Sequence, residues 1–475
     1  MSEPKRLHPI SAIISCLKQL KELIIPFLVF VVFGSKNGLF QLFASLGVIV
    51  LVFIIGILTW LRFTYRLEEG ELRIEYGVFV RKKRYIPFER IQSLDLSEGI
   101  LQRPFGLVKV KIETAGSSGE AEAVLTAISK SQAILIQQAL SSAKASVSFD
   151  EEESIKKEQE ITLYKISPKE LLLLASTSGG VGVVLSAVIA FILQFEEFIP
   201  YEKVFSGLED FISSGVLVVS LLVFLGFLIA WVAALIGTML KYAGFTVKKN
   251  EDDFIITRGL LEKRQLTIPL HRIQAIRISE NLIRQPFGLC TVYIESAGGS
   301  ATETESTREM LLPIAKRNVI TTILSPYLPE YNLEISILSA PKRSLKRYLF
   351  RGLLYMLPII VGSVLFIKPW GYLSLLIVIP STLLSYLKFK DAGWKIDGEQ
   401  LTLRYRAIIK NTIFMKRNRI QSLVMRESYF QNKNKLASIE ATVMSGSGGT
   451  RGRVIDLEKK DVEGIYEWYS YSKEK

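Results

Sequence analysis

Apolar residues along this chain follow two alternating patterns. Six long apolar blocks come in pairs: Leu23 to Phe33 with Leu39 to Leu61, Leu171 to Leu193 with Phe211 to Leu240, and Leu349 to Ile367 with Tyr372 to Leu387. About 20 apolar residues in a helix span the roughly 30 Å of a bilayer core, so each pair predicts a helical hairpin that crosses a membrane twice. The first block is short and reaches full length only with Leu17 and Leu20, its Lys18 and Lys21 snorkelling. After each pair the period shortens to two. VKVKIE predicts a strand with Val108, Val110 and Ile112 buried and Lys109, Lys111 and Glu113 in water, and TVYIE (Thr291 to Glu295) repeats the pattern. LRIEYGVFV and FIITRGLLE each set a glycine, Gly77 and Gly259, between β-type runs, as hairpin turns do. Helical spacing then returns. It is carried by Ala133, Ile134, Ile136, Gln137 and Leu140, by Ile314, Val319, Ile320 and Ile323, and by Val462, Ile465, Tyr466 and Tyr469.

The strand-rich parts repeat one another. RIQSLDLSEGILQRPFGL from Arg90 returns as RIQAIRISENLIRQPFGL from Arg272, and residues 86–116 and 268–298 align without a gap at 16 identities in 31 positions. A worn third copy begins at Arg419, where Arg419, Ile420 and Gln421 persist but Pro-Phe-Gly has become Lys433, Asn434 and Lys435. The chain therefore predicts six transmembrane helices as three hairpins, plus three mostly-β domains. Each domain is a small barrel or sandwich of about seven strands closed by a C-terminal helix. The expected layout is an N-terminal segment and hairpin (1–61), a domain (62–145), a charged linker (146–170), a hairpin (171–240), a domain (241–325), a linker (326–347), a hairpin (348–388) and a divergent domain (389–475).

The strings RLHPIS, IPFERIQS, QRPFGL and LYKISPKELLL, with paired helices ahead of each unit, resemble the YdbS/YdbT family of bacterial membrane-flanked-domain proteins. The resemblance covers essentially the whole chain, and the three-hairpin layout is similar to the larger, YdbT-type member. It implies PH-like domains. It also implies a smaller family member, with one hairpin and one unit, as a membrane-protein partner, and a setting in envelope stress or resistance to antimicrobial peptides. The third copy lacks the RQPFG pattern, so nothing about that loop carries over to Asn432 through Lys435.

Composition agrees with a membrane protein: 49% of the 475 residues are hydrophobic, too many for an ordinary soluble chain of this size. The loop Gln194 to Asp210 carries five acids against Lys203, whereas Lys5, Arg6, Lys18 and Lys21 precede the first hairpin and Arg62, Arg66 and Arg81 to Arg84 follow it. Positive-inside bias then expects a multi-pass cell-membrane protein with both termini and all three domains in the cytoplasm. No small-residue cleavage site follows the first apolar run, so no signal peptide is expected. Cys16 and Cys290 are far apart in sequence and read as inert thiols. His8 and His271 form no ligand-like cluster, so neither a metal nor a cofactor is expected. A net charge of +13 without stacking aromatics does not make a nucleic-acid binder.

Candidate residues follow from the repeats. Arg90, Ile91 and Gln92, with Arg272, Ile273 and Gln274, read as strand framework; Pro104, Phe105 and Gly106, with Pro286, Phe287 and Gly288, read as a turn and an aromatic plug. Basic runs precede the RIQ strands at equivalent places: Arg81, Lys82, Lys83 and Arg84, then Lys263 and Arg264, then Lys416, Arg417 and Arg419. Near an anionic leaflet each cation is worth about 1 kcal/mol, which makes these residues candidate lipid or partner contacts. The plainer reading is positive-inside bias on a solvated hairpin. The Gly-Ser stretches TAGSSGE, SAGGSATE and SGSGGT lack P-loop context and read as turns. Ser178, Gly182 and Ser186, and Gly226, Ala230 and Ala234, recur four apart as helix-packing positions do. No acid or base lies in the helix cores and no nucleophile set stands out. The expectation is a non-enzymatic scaffold or anchor presenting three PH-like modules to a protein partner or lipid headgroups. The alternative is a transporter or exporter subunit gated by the modules.

Overall fold

Three copies of one strand plan account for the β-structure, and each copy takes its first strand from the far side of a helical pair. The computed structural model describes residues 4–33, 38–68, 70–114, 122–145, 161–178, 216–250, 253–296, 308–334, 336–366, 370–445 and 449–470. Module one has β1 (Lys5–Arg6), helices α1 (Ile10–Phe33) and α2 (Gly38–Arg62), then β2 (Thr64–Glu68), β3 (Glu71–Tyr76), β4 (Lys82–Pro87), β5 (Ile91–Glu98), β6 (Leu107–Thr114), β7 (Ala123–Ser129) and α3 (Lys130–Ala145). Module two has β8 (Ile161–Lys165), α4 (Pro168–Ser176), α5 (Val216–Tyr242), β9 (Thr246–Asn250), β10 (Asp253–Arg258), β11 (Lys263–Pro269), β12 (Ile273–Glu280), β13 (Leu289–Ser296), β14 (Arg308–Lys316) and α6 (Arg317–Leu324). Module three has β15 (Leu338–Ser339), α7 (Leu345–Phe366), α8 (Val378–Asp391), β16 (Gly393–Asp397), β17 (Gln400–Arg406), β18 (Lys410–Lys416), β19 (Ile420–Arg426), α9 (Tyr429–Lys433), β20 (Leu436–Val443), β21 (Thr450–Glu458) and α10 (Lys459–Ser470).

The chain divides into two units that cut across the modules: residues 1–161, 248–272 and 297–307 form one, and residues 162–247, 273–296 and 308–475 the other. In the first unit, β1-β2-β3-β4 is one antiparallel sheet, and β7-β6-β5 continues through β11 into β10. Its core joins Leu72, Ile74 and Ile86 to Val110, Ile112 and Leu125, with Ile136 of α3 closing it. In the second unit, β14-β13-β12 continues through β18-β17-β16-β15, and β19-β20-β21 forms a separate sheet. Its core packs Leu403, Ile413 and Met415 against Ile439, Val454 and Val462. Adjacent modules are thus welded by backbone hydrogen bonds.

Among the described residues, Phe224–Tyr242, Lys342–Phe366 and Gly371–Asp391 are long and apolar enough to cross a membrane, and Gly47–Arg62 is a shorter apolar helix. The predicted block from Leu171 to Leu193 is not one helix. Ser167 caps α4 by accepting the Glu170 N–H while the Glu170 carboxylate takes the Ser167 N–H, and the helix ends at Ser176 in a turn at Thr177. Residues 179–215 lie outside the described set.

Three further expectations need correction. Lys111 and Glu113 are buried, not in water. Lys111 stands opposite Asp95, whose carboxylate holds Arg264, so charged groups lie on this second, covered face of the sheet. Ile314 lies in β14 and not in the closing helix, and Ile134 is exposed on α3. The aromatic plug fails too: Phe105 is 61% and Phe287 71% exposed, because the loop turns its ring outward. The turn itself holds, as a short 3-10 helix ended by Gly106 at φ 63° or Gly288 at φ 65°. In module three Lys435 takes that glycine's place at φ 54°. A left-handed backbone costs a side-chain-bearing residue about 1 kcal/mol or more. Lys435→Gly is therefore expected to stabilise the protein by about 1 kcal/mol, measured by unfolding in detergent.

Candidate functional site

Strand direction places the β3–β4 turn at the end of the sheet where the chain leaves its helices. β2 starts just after α2, and Thr64 pairs with Glu75, so β3 runs back toward the helix end. The turn there needs Gly77, at φ +112°, because a Cβ would sit 2.0 Å from the Val80 carbonyl oxygen. Phe79 at its tip is 94% exposed and Val80 is also exposed. The four predicted cations follow at once. Arg81 pairs with Glu75, Lys83 lies 3.7 Å from the same carboxylate, and the Arg84 guanidinium stands 5.7 Å from the centre of the Tyr76 ring. Lys82 opens β4 and is exposed.

Module three repeats this arrangement. α8 ends at Asp391, Gly393 pairs with Arg404, and the β17–β18 turn with exposed Ile408 and Ile409 returns to the helix end. Arg406 fastens its base, donating from Nε to Asp391 at 2.5 Å. Leu260 and Leu261 form the matching exposed tip of module two. The residues here that match Lys263 and Arg264 are Lys410 and Asn411, which start β18 just as Lys263 and Arg264 start β11. Lys416 closes β18 and Arg417 and Arg419 occupy the following 3-10 turn, so the equivalence expected from sequence is shifted by six residues.

The loops carrying Pro-Phe-Gly, and the divergent loop of module three, lie against helix ends. Phe105 lies 6.2 Å from the His8 ring, two residues ahead of α1. Arg284 reaches the end of α4, donating to Thr177 Oγ1 at 2.7 Å and to the Leu174 carbonyl at 3.2 Å. Arg343 and Arg347, at the start of α7, donate to the carbonyls of Asn434 and Phe430 in the divergent loop, at 3.0 and 2.9 Å. Tips and loops meet: Arg103 donates to the Leu260 carbonyl at 2.6 Å, and Arg406 to Gln285 Oε1 at 2.5 Å. Ile100, Leu101 and Phe105 of the first loop are exposed, as is Leu260, whose carbonyl Arg103 of that loop holds. Apolar tips with basic neighbours suit the interface of an anionic bilayer.

A cavity of about 300 Å³ opens where α7, α8 and module three meet, lined by Arg351, Lys388, Arg406 and Arg453 with Tyr348, Tyr355 and Ser385. Arg351 and Arg347 hold the buried carboxylate of Asp456, and Arg406 holds Asp391. Arg453 also reaches Glu440, at 3.9 Å, so Lys388 is the cation in excess over these acids and an anion is the group this cavity suits. Gly352 lets the two helices touch here, since a Cβ on it would fall 1.9 Å from Ser385 Oγ. Gly56 does the same against Cys16, at 2.3 Å. Neither was singled out from sequence. Of the predicted packing residues, Ala230 and Ala234 are buried, Gly226 faces open space, and Gly182 and Ser186 lie outside the described residues.

The RIQ residues sit within the framework. Ile91, Ile273 and Ile420 are all buried. Arg272 donates to the Ile91 carbonyl at 3.3 Å, and burial lowers its pKa. Gln274 is buried, Gln421 exposed and Arg90 exposed. Arg264 spends its charge on Asp95 at 2.7 Å. Sequence reasoning missed the most buried ion pair, Arg277 with Glu295 at 2.8 Å, where Ser445 and Thr450 donate to the other carboxylate oxygen and Tyr405 accepts from Arg277. The signal was available: RIQAIRISE puts an arginine where RIQSLDLSE has Asp95. The Cys290 thiol is buried and its pKa is pushed up to about 11 by desolvation, which removes the thiolate needed for reactivity.

The bacterial PH domain family matches residues 23–144, 187–326 and 353–473. The chain is 41% identical to the UPF0699 transmembrane protein YdbT of Bacillus subtilis (strain 168), covering 100% of this chain and 99% of that protein. It is 39% identical over 72 residues to the UPF0699 transmembrane protein YdbS of the same organism, covering 15% of this chain and 45% of YdbS. No solved structure matches it.

Proposed function

Because this chain belongs to the bacterial PH domain family and is a membrane protein with that domain repeated, we propose that it is a non-enzymatic scaffold that holds three PH modules flat against an anionic bilayer surface. Six helices in three hairpins anchor it. The pairing of β1 with β2 and of β15 with β16 supports hairpins, because strands on either side of a helical pair meet only if the chain crosses the bilayer an even number of times. The basic segments flanking the first hairpin, against the acidic loop from Gln194 to Asp210, support a cytoplasmic position for the modules.

The observation that carries the proposal is the tip of module one: an almost fully exposed Phe79, at the helix end of its sheet, followed directly by Arg81 to Arg84. Burying such an aromatic ring in the interface is worth about 1.5–3 kcal/mol, and each cation near anionic headgroups adds about 1 kcal/mol. The cavity at Lys388 and Arg453 supplies a place for a lipid phosphate beside the third hairpin.

The test uses the full chain in nanodiscs. A fluorophore at position 80, introduced through Val80→Cys, is expected to be quenched by lipids brominated on the acyl chains, with stronger quenching in phosphatidylglycerol than in phosphatidylcholine. Neutralising Arg81, Lys82, Lys83 and Arg84 to Gln should remove that lipid preference. A label equally bright in brominated and plain lipid would overturn the proposal.

A further inference from the structure

Modules meet in the same way at both junctions. In the first unit β5 pairs with β11, with Leu94 opposite Thr267 and Glu98 opposite Lys263. In the second unit β12 pairs with β18, with Ile276 opposite Phe414 and Glu280 opposite Lys410. Aligning the repeats on Arg90, Arg272 and Arg419 puts Leu94 on Ile276, and Thr267 on Phe414, so the two registers coincide residue for residue. One rule is used twice: the RIQ strand of a module takes the fourth strand of the next.

The rule leaves one strand of each kind over at the ends of the chain. β4, the fourth strand of module one, is the edge of its sheet, and β19, the RIQ strand of module three, is the edge of its own. Exposure agrees. Lys82 to Tyr85 are exposed in succession, and Gln421 and Val424 are exposed where their counterparts Gln274 and Arg277 are 6% and 1% exposed.

We propose that β19 of one copy pairs antiparallel with β4 of a second copy in this same register, placing Leu423 opposite Tyr85, Val424 opposite Arg84, Met425 opposite Lys83, and Glu427 opposite Arg81. Edge-strand addition supplies the backbone hydrogen bonds. The glutamate supplies the end contact. Glu98, Glu280 and Glu427 each pair with the first residue of their module's closing helix, at 2.9 Å to Lys130, 3.2 Å to Arg317 and 3.0 Å to Lys459. Glu280 also takes Lys410 of the neighbouring module at 3.1 Å. Arg81 is the residue that the register brings to Glu427. One pair opposes association: Arg426 faces Lys82, a like-charge contact moderated by Glu440, 3.6 Å from Arg426. The junction between copies is therefore weaker than the two inside the chain, and being head-to-tail it leaves one edge of each kind on a joined pair for further copies.

Cross-linking of the full-length protein in membranes tests this. Directly opposed strand residues have Cα atoms about 4.5–5.5 Å apart, within disulfide range. Co-expressed Val424→Cys and Arg84→Cys chains are expected to form a disulfide dimer that neither gives alone, with the unsubstituted chain, whose Cys16 and Cys290 are buried, as background. The double variant should give a ladder of dimers, trimers and larger species. Adding Arg426→Glu should raise the yield severalfold by turning the opposing pair into an attractive one. No mixed dimer, equal dimer from either variant alone, a bond to a different membrane protein, or a lower yield with Arg426→Glu would each overturn the proposal.

Discussion

Replacing Arg277 with alanine is expected to destabilise the protein by about 3 kcal/mol. The guanidinium and the Glu295 carboxylate are both almost fully buried, and removing Arg277 leaves that carboxylate, in a medium that solvates it poorly, to the partly exposed Arg308 at 3.3 Å. Ser445 and Thr450 donate to the same carboxylate from the far side of the neighbouring module, so the loss should spread to that contact. The test is thermal unfolding in detergent together with proteolysis near Ser445, expected to be faster in the variant. Arg277→Met combined with Glu295→Leu should recover part of the loss, since the two buried charges go together while Ser445, Thr450 and Arg308 lose their acceptor. If the single variant unfolds like the parent, the pair contributes nothing.

The second large effect is at the crossing of α7 and α8. A methyl group at Gly352 would overlap Ser385 Oγ, with the Ser385 Cβ next at 3.1 Å. Gly352→Ala should cost about 1–3 kcal/mol by forcing the helices apart. Adding Ser385→Ala removes the overlapping atom and should restore most of the stability. A double-mutant cycle on melting measures this coupling, and additive losses would show that the helices do not meet at this point.

How legible was all this from sequence? The strand plan was, because alternation of apolar and polar residues needs only a face to bury, and the repeat supplies the same evidence more than once. Gly77 and Gly106 were legible as turns since few other residues hold those backbone angles. What the sequence hid is long-range pairing. Nothing in VKVKIE says that Lys111 is buried opposite Asp95, nor that Asp95 takes Arg264 from the next module. The basic residues of module three were legible at the right place, since the nine residues from Lys263 to Arg272 carry Arg419 back to Lys410 and not to Lys416. Gly352 and Gly56 stayed hidden because a single glycine in an apolar run shows no period. The break at Thr177 was hidden because polar caps inside an apolar block look like packing residues.

The two-residue strand β1 has a bearing on how such a chain is made. It is synthesised before α1, yet its partner β2 emerges only after α2. In the proposed hairpin topology, module one completes its first sheet only once both helices are threaded and the N-terminus has stayed on the side where β2 appears. A nascent chain whose first helix failed to go in would then strand Lys5 and Arg6 away from Thr64 and Tyr65. β15 and β16 impose the same requirement on the third helical pair. Sheet closure and insertion are thereby coupled in that topology.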